Sequence, residues 1–333
     1  MTHFPLNTEH TRFDVTGVGN AIVDILSRVE ENFITQHGMD KGGMALIDAQ
    51  RAEALYAALG QCIECSGGSV ANTVAALASL GARTAYMGRV YDDALGSIFR
   101  HDMRANGVTF DVPAASEGLP TARCFICVTP DAERTMNTFL GACTQFAPQD
   151  VHEETIAASA VLYLEGYLWD QPAAKEAIRK AMQAAKQAGR AVAFTLSDTF
   201  CVERHRAEFL EMIAENVDIL FANEHEIRAL AQQTDLAQAS ATIAPMLRLM
   251  VITRGAEGAD VWLNGQLTHV DAAPVSQVVD LTGAGDLFAC GFLYGLTQGW
   301  SMTESAQMGN RCAAEIIQQV GARSQQPLKR LVA

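Results

Sequence analysis

Positive charge is scarce in this sequence, whose 333 residues include 24 Lys and Arg against 38 Asp and Glu, for a net charge of -14. Nucleic acids and anionic membranes both bind proteins through positively charged patches, so this excess of acidic residues argues against either as a partner. The sequence also has no run of about twenty apolar residues that would span a bilayer, and its polar N-terminus lacks the apolar segment of a signal peptide. We therefore expect a cytoplasmic protein that acts on small molecules.

The common nucleotide and nucleophile motifs are also missing. No Gly-Lys dipeptide occurs, which excludes the P-loop pattern. Gly17 and Gly19 begin a dinucleotide fingerprint, but Ile22 stands where its third glycine belongs. The segment around Ser69 roughly resembles a nucleophile elbow, in which Ala71 replaces the second glycine. A phosphate-bearing ligand must therefore meet another arrangement of amides, cations or metal.

The eight cysteines include two C-x-x-C pairs, Cys62 with Cys65 and Cys124 with Cys127. The pairs lie much further apart than the roughly 15–20 residues that separate the two halves of a zinc ribbon. Residues 124–127 read as a strand, in which positions three apart point to opposite faces. We expect buried free thiols and no protein-bound metal at these cysteines.

Strand and helix patterns alternate along most of the chain. Short apolar strands separated by helices indicate parallel βαβ units with helices on both faces of the sheet. The predicted fold class is α/β, with a doubly wound, mainly parallel sheet in a large nucleotide-binding domain. That domain is expected to contain residues 1–19, 49–109 and 142–333, with helices predicted at 69–80, 94–106 and 173–188 and strands at 84–88, 191–196, 219–222 and 249–253.

Two segments, residues 20–48 and 110–141, interrupt this alternation. Strand patterns at 122–128 and 134–140 are joined by Pro130-Asp131, a hairpin signal. Strands without an intervening helix do not fit a parallel sheet, so we expect a small β-sheet at the edge of the large domain. Such a sheet is suited to act as a lid that excludes water. Its outer face offers a possible homodimer contact or stays free.

The run from Asp280 to Asp286, Asp-Leu-Thr-Gly-Ala-Gly-Asp, precedes a long apolar helix. Glycines permit a tight turn there, and the amides of Gly283, Ala284 and Gly285 then point out of the helix N-terminus, where an anion is favoured. A carboxylate at that place would repel a bound phosphate unless it handles a proton. This pattern predicts a phosphoryl-transfer site with Asp286 as the base.

The same run closely resembles the C-terminal signature of the ribokinase-like, or PfkB-type, carbohydrate kinases. A second run, Gly67-Gly68-Ser69-x-x-Asn72, is similar to the N-terminal signature of that family, and the resemblance extends from about residue 13 to residue 322. It implies an ATP-dependent kinase with a ribokinase-like fold. It also implies that Asp286 is the catalytic base and that residues 283–285 form the anion hole, with a monovalent cation bound nearby in some relatives.

On the nucleotide side, Asn223 and Glu226 resemble the N-x-x-E motif of the family. The resemblance implies that they organise Mg²⁺ and its waters, a role suited to oxygen ligands. The same two residues also fit a helix N-cap with an acidic first turn. Further nucleotide contacts implied by the family fall on Thr253, Arg254, Gly255, Gly258, Thr282 and Asn310.

On the acceptor side, the stretch from Gly19 to Asp24 is similar to the G-N-x-x-x-D opening of adenosine kinases. The resemblance implies that Asp24 accepts hydrogen bonds from two adjacent ribose hydroxyls. In the alternative interpretation, Asn20 and Asp24 are exposed polar residues of a lid strand. The full set of implied acceptor contacts is Asn20, Asp24, Gly68, Ser69 and Asn72, with Asn72 supporting Asp24 and with Met136 or Phe139 available to cover a flat base.

The predicted activity is the ATP-dependent phosphorylation of the 5′-hydroxyl of a ribonucleoside, with adenosine converted to AMP. Two alternatives remain. A ribokinase-like sugar kinase would act on free ribose or a related sugar. A noncatalytic nucleotide or nucleoside sensor would keep the kinase shell without its chemistry, although it would have little use for a base at residue 286.

Overall fold

The computed structural model describes residues 2–131 and 133–332. Two β-sheets organise it, one of eight strands and one of five. In chain order the strands are β1 (Phe13–Val18), β2 (Ile22–Arg28), β3 (Met44–Leu46), β4 (Ile63–Gly67), β5 (Thr84–Met87), β6 (Ala122–Val128), β7 (Arg134–Phe139), β8 (Ser159–Glu165), β9 (Ala191–Thr195), β10 (Ile219–Asn223), β11 (Leu249–Thr253), β12 (Ala259–Leu263) and β13 (Gln266–Val270).

The large sheet has the order β13-β12-β11-β10-β9-β8-β1-β5. The six strands from β11 to β5 are parallel neighbours, and only β12 runs in the opposite direction, antiparallel to both β11 and β13. Strand β8 is buried at every residue, as expected when helices cover both faces of a sheet. The predicted α/β fold with a mainly parallel sheet is confirmed.

The helices agree closely with the sequence patterns. Helix 69–80 is found as predicted, and the helices predicted at 94–106 and 173–188 differ from the structure by one residue at their ends. None of the helices in the described ranges is long and apolar enough to cross a membrane. The helices are α1 (Glu31–Gln36), α2 (Ala49–Ala58), α3 (Ser69–Leu80), α4 (Ala94–Ala105), α5 (Glu153–Ala157), α6 (Pro172–Gln187), α7 (Thr199–Asn216), α8 (Glu224–Ala231), α9 (Leu236–Ile243), α10 (Ala284–Thr297) and α11 (Met302–Ile316).

The small sheet has the order β3-β7-β6-β2-β4, and the predicted hairpin is its antiparallel pair β6 and β7. Strand β4 lies in the range 49–109 that the sequence assigned to the large domain, and α2 from the same range packs against β6 and β7. The sequence pattern did not reveal β4, because this short edge strand leaves Ile63 69% exposed. Its partner, β2, also lies far away in the sequence. The small region is therefore larger than expected.

The strand register separates the two faces of the small sheet. Asp24, Cys124 and Thr138 lie side by side in neighbouring strands and share one face. Phe139 lies on the opposite face and is buried there. The expectation that Phe139 might cover a base is therefore wrong, whereas Met136 lies on the same face as Asp24.

All eight cysteines are free thiols, and six of them are buried. Cys124 and Cys127 are both buried and lie on opposite faces of β6, as their spacing predicted. Cys62 and Cys65 are half-buried. Burial raises the pKa of Cys124 to about 12 and that of Cys127 to about 11, so both stay protonated and unreactive at neutral pH.

Candidate active site

A cavity of about 320 Å³ opens at the carboxyl ends of the central parallel strands. Thr195, Asn223 and Thr253, the last residues of β9, β10 and β11, line it together with the first turn of α10. Ligands of open α/β sheets bind at this edge. Eight of the residues predicted for the site line the cavity, namely Ser69, Asn223, Glu226, Thr253, Gly283, Ala284, Gly285 and Asp286.

The N-terminus of α10 opens toward this cavity without a side-chain cap. Gly283 stands at the N-cap position with φ +77°, a left-handed conformation that favours glycine. A Cβ atom on Gly283 would also lie 2.8 Å from the Cβ of Ala322. A Cβ on Gly285, in contrast, would meet no atom within 4 Å and would project into open space. Glycine is thus required by the backbone at 283, whereas the space beside 285 is open.

Backbone amides at this helix end are available to an anion. Among the described residues, the amides of Gly283, Gly285 and Asp286 have no hydrogen-bond acceptor. The amide of Ala284 donates to the carbonyl of Leu281 at 3.2 Å. The amide set therefore differs from the predicted one, because the turn itself uses Ala284 and the amide of Asp286 is added.

The carboxylate of Asp286 is held by one donor on each oxygen. Ser69 Oγ donates to Oδ1 at 2.6 Å, and Asn72 Nδ2 donates to Oδ2 at 2.9 Å. Burial raises the pKa of Asp286, while these two hydrogen bonds and the positive charge of Arg323 oppose the increase. A carboxylate fixed in this way lines the cavity beside free amides, which suits a general base.

Asn72 thus has a different protein partner from the one expected, whereas the contact of Ser69 with the acceptor stays a prediction. The sequence assigned both residues to the acceptor, with Asn72 supporting Asp24, but their hydrogen bonds go to Asp286. Both residues lie in the first turn of α3, which faces α10, so their side chains reach across between the two helices. The Oδ1 atom of Asn72 is buried and has no partner in the described part of the chain.

Asp24 lies in the small sheet, directly against the glycine pair that precedes α3. A Cβ atom on Gly67 would lie 2.3 Å from Asp24 Oδ2, so only glycine leaves room for this carboxylate. Gly68 has φ +95°, and a Cβ there would come within 2.2 Å of the Asn20 carbonyl oxygen. Burial raises the pKa of Asp24 to about 7, against the lowering effect of Arg323.

The Asp24 carboxylate receives no hydrogen bond from any residue in the ranges 2–131 and 133–332. Buried polar groups are normally hydrogen-bonded in native structures. Asp24 is half-buried and does not itself line the cavity, but it lies close enough to Asp286 for the two charges to interact. A carboxylate there without a protein donor is suited to accept hydroxyl groups of a ligand.

Glu165, which the sequence reasoning did not single out, supports the segments around the site without lining the cavity. It is fully buried at the end of β8 and accepts hydrogen bonds from the amides of Asn20 at 2.8 Å and Val70 at 2.9 Å. These bonds join the segment before β2 to the first turn of α3. A carboxylate at the end of an otherwise apolar parallel strand was the available signal, since such strand ends meet at the ligand-binding edge.

Asn223 and Glu226 form a capping box at the start of α8. Asn223 Oδ1 accepts from the amides of His225 and Glu226, and Glu226 accepts from the Asn223 amide at 2.9 Å. Burial raises the pKa of Glu226 to about 7. Both residues also line the cavity, so the capping and metal-binding interpretations are compatible.

These two residues fit an Mg²⁺ ion that is bound mainly through other ligands. No cluster of three or more His, Cys, Asp or Glu side chains that would hold a metal occurs in the described ranges. Mg²⁺ commonly keeps several waters and binds through one or two carboxylates together with substrate phosphates. Glu226 is the acidic side chain near Asn223 that would contribute to such a site, and the ion would neutralise charge on the phosphates.

The loop after β11 places its predicted residues differently. Thr253 lines the cavity, but the Arg254 side chain forms ion pairs with Glu257 and, at 3.2 Å, with Asp260. Gly258 has φ +93°, and a Cβ there would lie 2.1 Å from the Val270 carbonyl oxygen. The positive charge of Arg254 is thus paired with Glu257 and Asp260. Position 258 has no room for a side chain, so it requires glycine.

Gly255 and Asn310 also lie outside the cavity lining. Gly255 has φ +56° in the turn after β11. Asn310 is buried in α11, where its Nδ2 atom donates to the Asp271 carbonyl at 2.8 Å. This bond ties the helix to the end of β13, so nucleotide contacts by Gly255 and Asn310 remain predictions.

Asp280 and Thr282 form the turn that leads into α10. Asp280 Oδ1 accepts from the amide and hydroxyl of Thr282, at 3.0 and 2.8 Å. Asp280 Oδ2 accepts from the Gly321 amide at 2.7 Å and forms an ion pair with Arg134 of the small sheet, also at 2.7 Å. Arg134 further donates to the Thr282 hydroxyl at 3.0 Å.

This geometry agrees with the comparisons with known proteins. The model of the "pfkB family carbohydrate kinase" matches residues 43–329. The chain belongs to the PfkB family of carbohydrate kinases. The family resemblance that the sequence suggested is thereby confirmed, and the protein is a phosphotransferase that acts on an alcohol group, with ATP use implied by the family.

Three relatives illustrate the range of names within this family. The crystal structure of adenosine kinase from Sinorhizobium meliloti is 48% identical, with a TM-score of 0.90 over 97% of this chain and 99% of the other. A probable sugar kinase from Rhizobium etli is 47% identical, also with a TM-score of 0.90, over 97% and 98%. The 5-dehydro-2-deoxygluconokinase of Geobacillus thermodenitrificans is 27% identical over 75% of this chain and 78% of its own length.

Proposed function

We propose that this PfkB kinase transfers the γ-phosphate of ATP to the 5′-hydroxyl of adenosine, forming AMP and ADP. The observation that carries the proposal is a pair of carboxylates, Asp286 in the cavity lining and Asp24 close enough to interact with its charge. Asp286 is held by two donors at the open N-terminus of α10, while Asp24 receives no donor from the described residues. One carboxylate is thus oriented for proton transfer, and the other is left for ligand hydroxyls.

The residues divide the reaction between them. Asp286 accepts the proton of the acceptor hydroxyl while the hydroxyl oxygen attacks the γ-phosphorus of ATP. The bond between the γ-phosphorus and the β-phosphate oxygen breaks, and ADP leaves with that oxygen. The free amides at the start of α10 stabilise the negative charge on the transferring group. Ser69 and Asn72 keep Asp286 in place, and such positioning supplies much of the catalysis in phosphoryl transfer.

Adenosine is favoured over a free sugar by two considerations. The Sinorhizobium meliloti structure that is named adenosine kinase matches nearly the full length of this chain at 48% identity. In addition, the Asp24 face of the small sheet carries apolar Ile22 and Met136, against which a purine would bury apolar area next to the ribose. The names of the sugar-kinase relatives keep free ribose as the competing acceptor.

The proposal is tested by coupled measurement of ADP release with ATP and Mg²⁺ and with adenosine, inosine, guanosine or ribose as the acceptor. We expect the highest kcat/KM for adenosine. Removing the 2′- and 3′-hydroxyls of adenosine should lower kcat/KM by about 10²-fold or more, because Asp24 would be left unpaired. Asp286→Asn serves as the control for contaminating kinases.

Turnover of ribose without turnover of nucleosides would overturn the choice of adenosine and favour the sugar-kinase alternative. Nucleoside binding without ADP release from any acceptor would favour the sensor. The position of Asp286 beside unpaired amides argues against a sensor, since binding alone does not require a buried base there.

A further inference from the structure

Three consecutive residues after α11 contact the starts of both helices that hold the candidate base. The amide of Gly321 donates to Asp280 Oδ2 at 2.7 Å in the turn before α10. Ala322 lies against Gly283, the N-cap of that helix. Arg323, the next residue, reaches the start of α3. This short segment therefore connects the open helix end to the helix that orients the base.

The guanidinium of Arg323 donates to the backbone on both sides of the glycine pair that precedes α3. Its Nε atom donates to the carbonyl of Ser66 at 3.0 Å, and Nη1 donates to the carbonyl of Ala71 at 3.1 Å. Nη2 adds a bond to the Ser66 hydroxyl at 3.1 Å. A planar guanidinium can serve several such acceptors at once in a fixed geometry, so Arg323 holds residues 66–71 as a unit.

The segment 66–71 contacts each of the two carboxylates on which the proposed reaction depends. Gly67 lies directly against the carboxylate of Asp24. Ser69 donates to the carboxylate of Asp286 at 2.6 Å. Because Arg323 binds the segment at both ends, it sets the spacing between these carboxylates. A displacement of about 1 Å in such a constellation is enough to lower turnover strongly.

The positive charge of Arg323 also acts on both carboxylates. Asp24, Asp102 and Asp286 face the guanidinium, together with the thiol of Cys65. Burial raises the pKa of Asp24 and that of Asp286, and the charge of Arg323 opposes the increase at each of them. Two interacting carboxylates disfavour each other's ionisation, so a cation that faces both favours the state in which both are charged.

Other ionisable groups surround the same two carboxylates. Those that face Asp24 or Asp286 are Cys65, Cys124, Arg134, Tyr163, Glu165 and Tyr167. Arg134 is the cation of this group, and it lowers the pKa of Asp24 less than Arg323 does. Arg323 is therefore the main positive charge that acts on the pair.

We propose that Arg323 is a positioning residue that holds residues 66–71 between Asp24 and Asp286, fixes the spacing of the two carboxylates and offsets the repulsion between them. The inference rests on the roles proposed above for these two carboxylates, but not on the choice of adenosine. Arg323 does not line the cavity, so it acts through the residues that it holds.

The first experiment compares Arg323→Met and Arg323→Lys with Arg330→Ala, which changes an exposed arginine of the same C-terminal region that pairs with Glu315. The acceptor is whichever of adenosine, inosine, guanosine or ribose the wild type phosphorylates. Arg323→Met removes three donors and should lower kcat/KM by about 10²-fold. Because it also removes the charge that lowers the pKa of both carboxyl groups, the acid limb of the kcat/KM profile should move to higher pH.

The two other variants separate charge from geometry. Arg323→Lys keeps the charge but loses the planar fork, so the acid limb should stay in place while kcat/KM falls less than in Arg323→Met. Arg330→Ala should behave as the wild type. Circular dichroism at the assay temperature checks that each variant is folded.

The second experiment follows the carboxyl groups directly by NMR titration of protein with isotope-labelled aspartate. Asp24→Asn and Asp286→Asn assign the two signals. Both carboxyl groups should titrate at higher pH in Arg323→Met than in the wild type, and Arg323→Lys should match the wild type. The titration needs no acceptor, so a failure to phosphorylate any of the four acceptors would sink the proposed function and still leave the role of Arg323 testable.

A folded Arg323→Met protein with wild-type kcat/KM, or with both carboxyl groups titrating as in the wild type, would contradict the proposal. If Arg323→Met does not fold, Arg323→Lys decides the question. A lower kcat/KM with unshifted carboxyl titrations would then support the positioning role, whereas an unchanged kcat/KM or a shifted titration would overturn it.

Discussion

The N-termini of α10 and α8 face the same cavity, but they treat their backbone amides differently. Helix α8 is closed by its own capping box, in which Asn223 and Glu226 satisfy the first amides. Helix α10 has glycine at its N-cap and no side-chain cap, and three of its first amides have no acceptor among the described residues. The comparison teaches that one helix end is stabilised by the fold, while the other is kept for a ligand.

The largest effect is expected from Asp286→Asn, which removes the base from the open helix end. Turnover should fall by about 10²–10⁴-fold, since general base catalysis contributes an effect of this size. Binding of ADP should persist, because the amides of α10 remain. Single-turnover kinetics together with calorimetry would check both outcomes, and near-normal turnover would remove Asp286 from the mechanism.

The next effect concerns the donors that hold this base. Ser69→Ala removes the hydrogen bond to Oδ1, which lowers the pKa of Asp286, so the pKa should rise further. Because Asp286 must be deprotonated to act, the acid limb of the kcat profile should move to higher pH. Thr73→Val is the control, since its hydroxyl donates to the backbone carbonyls of Ser69 and Asp286 and not to the Asp286 carboxylate. An unshifted acid limb in Ser69→Ala would argue that this bond does not tune the base.

Two matched glycine substitutions distinguish the need for a left-handed backbone from the need for open space beside the residue. Gly283→Ala meets both the positive φ and the contact with Ala322, and it should destabilise the protein by about 1–3 kcal/mol. Gly285→Ala meets no neighbour and should leave the melting temperature unchanged or slightly higher while raising KM for ATP. Thermal denaturation and steady-state kinetics give the two readouts. If Gly285→Ala left the KM for ATP unchanged, the open space at 285 would not be used by the nucleotide.

The smallest effect is expected at the closed helix end. Asn223→Ala removes the N-cap of α8 and should cost about 1 kcal/mol of stability, measured by urea denaturation. Glu226→Gln should preserve much of the box but raise the Mg²⁺ concentration needed for half-maximal turnover. If Asn223→Ala lowered turnover as much as Asp286→Asn, the contrast between the two helix ends would fail.

The large domain was predictable because its signals are local. Helix α3, for example, has an apolar small-residue pattern closed by Gly81, and both of its ends were predicted correctly. The glycine turn and the carboxylate proposed as the base were also identifiable as neighbours, since one short run holds Gly283, Gly285 and Asp286.

Non-local pairing explains most of what the sequence did not reveal. Strand β4 depends on its partner β2, and Glu165 depends on amides that lie 145 and 95 residues away. The pairing of Asn72 with Asp286 spans 214 residues and joins two predicted motifs that the sequence treated separately. The ion pair of Arg134 with Asp280 joins the small sheet to the turn before α10 and is equally invisible in a linear pattern.

Glu165 also links proton uptake to folding. Its carboxyl has a pKa of about 7 in the folded chain, raised by burial from 4.5, so the native state holds this proton more tightly than the unfolded chain does. Its contribution to the free energy of unfolding is therefore largest below pH 4.5 and declines as the pH rises to about 7. Mild acidification thus favours the folded state at this residue, even though it weakens the two amide hydrogen bonds, whereas alkaline conditions impose the cost of an anion in a dry interior.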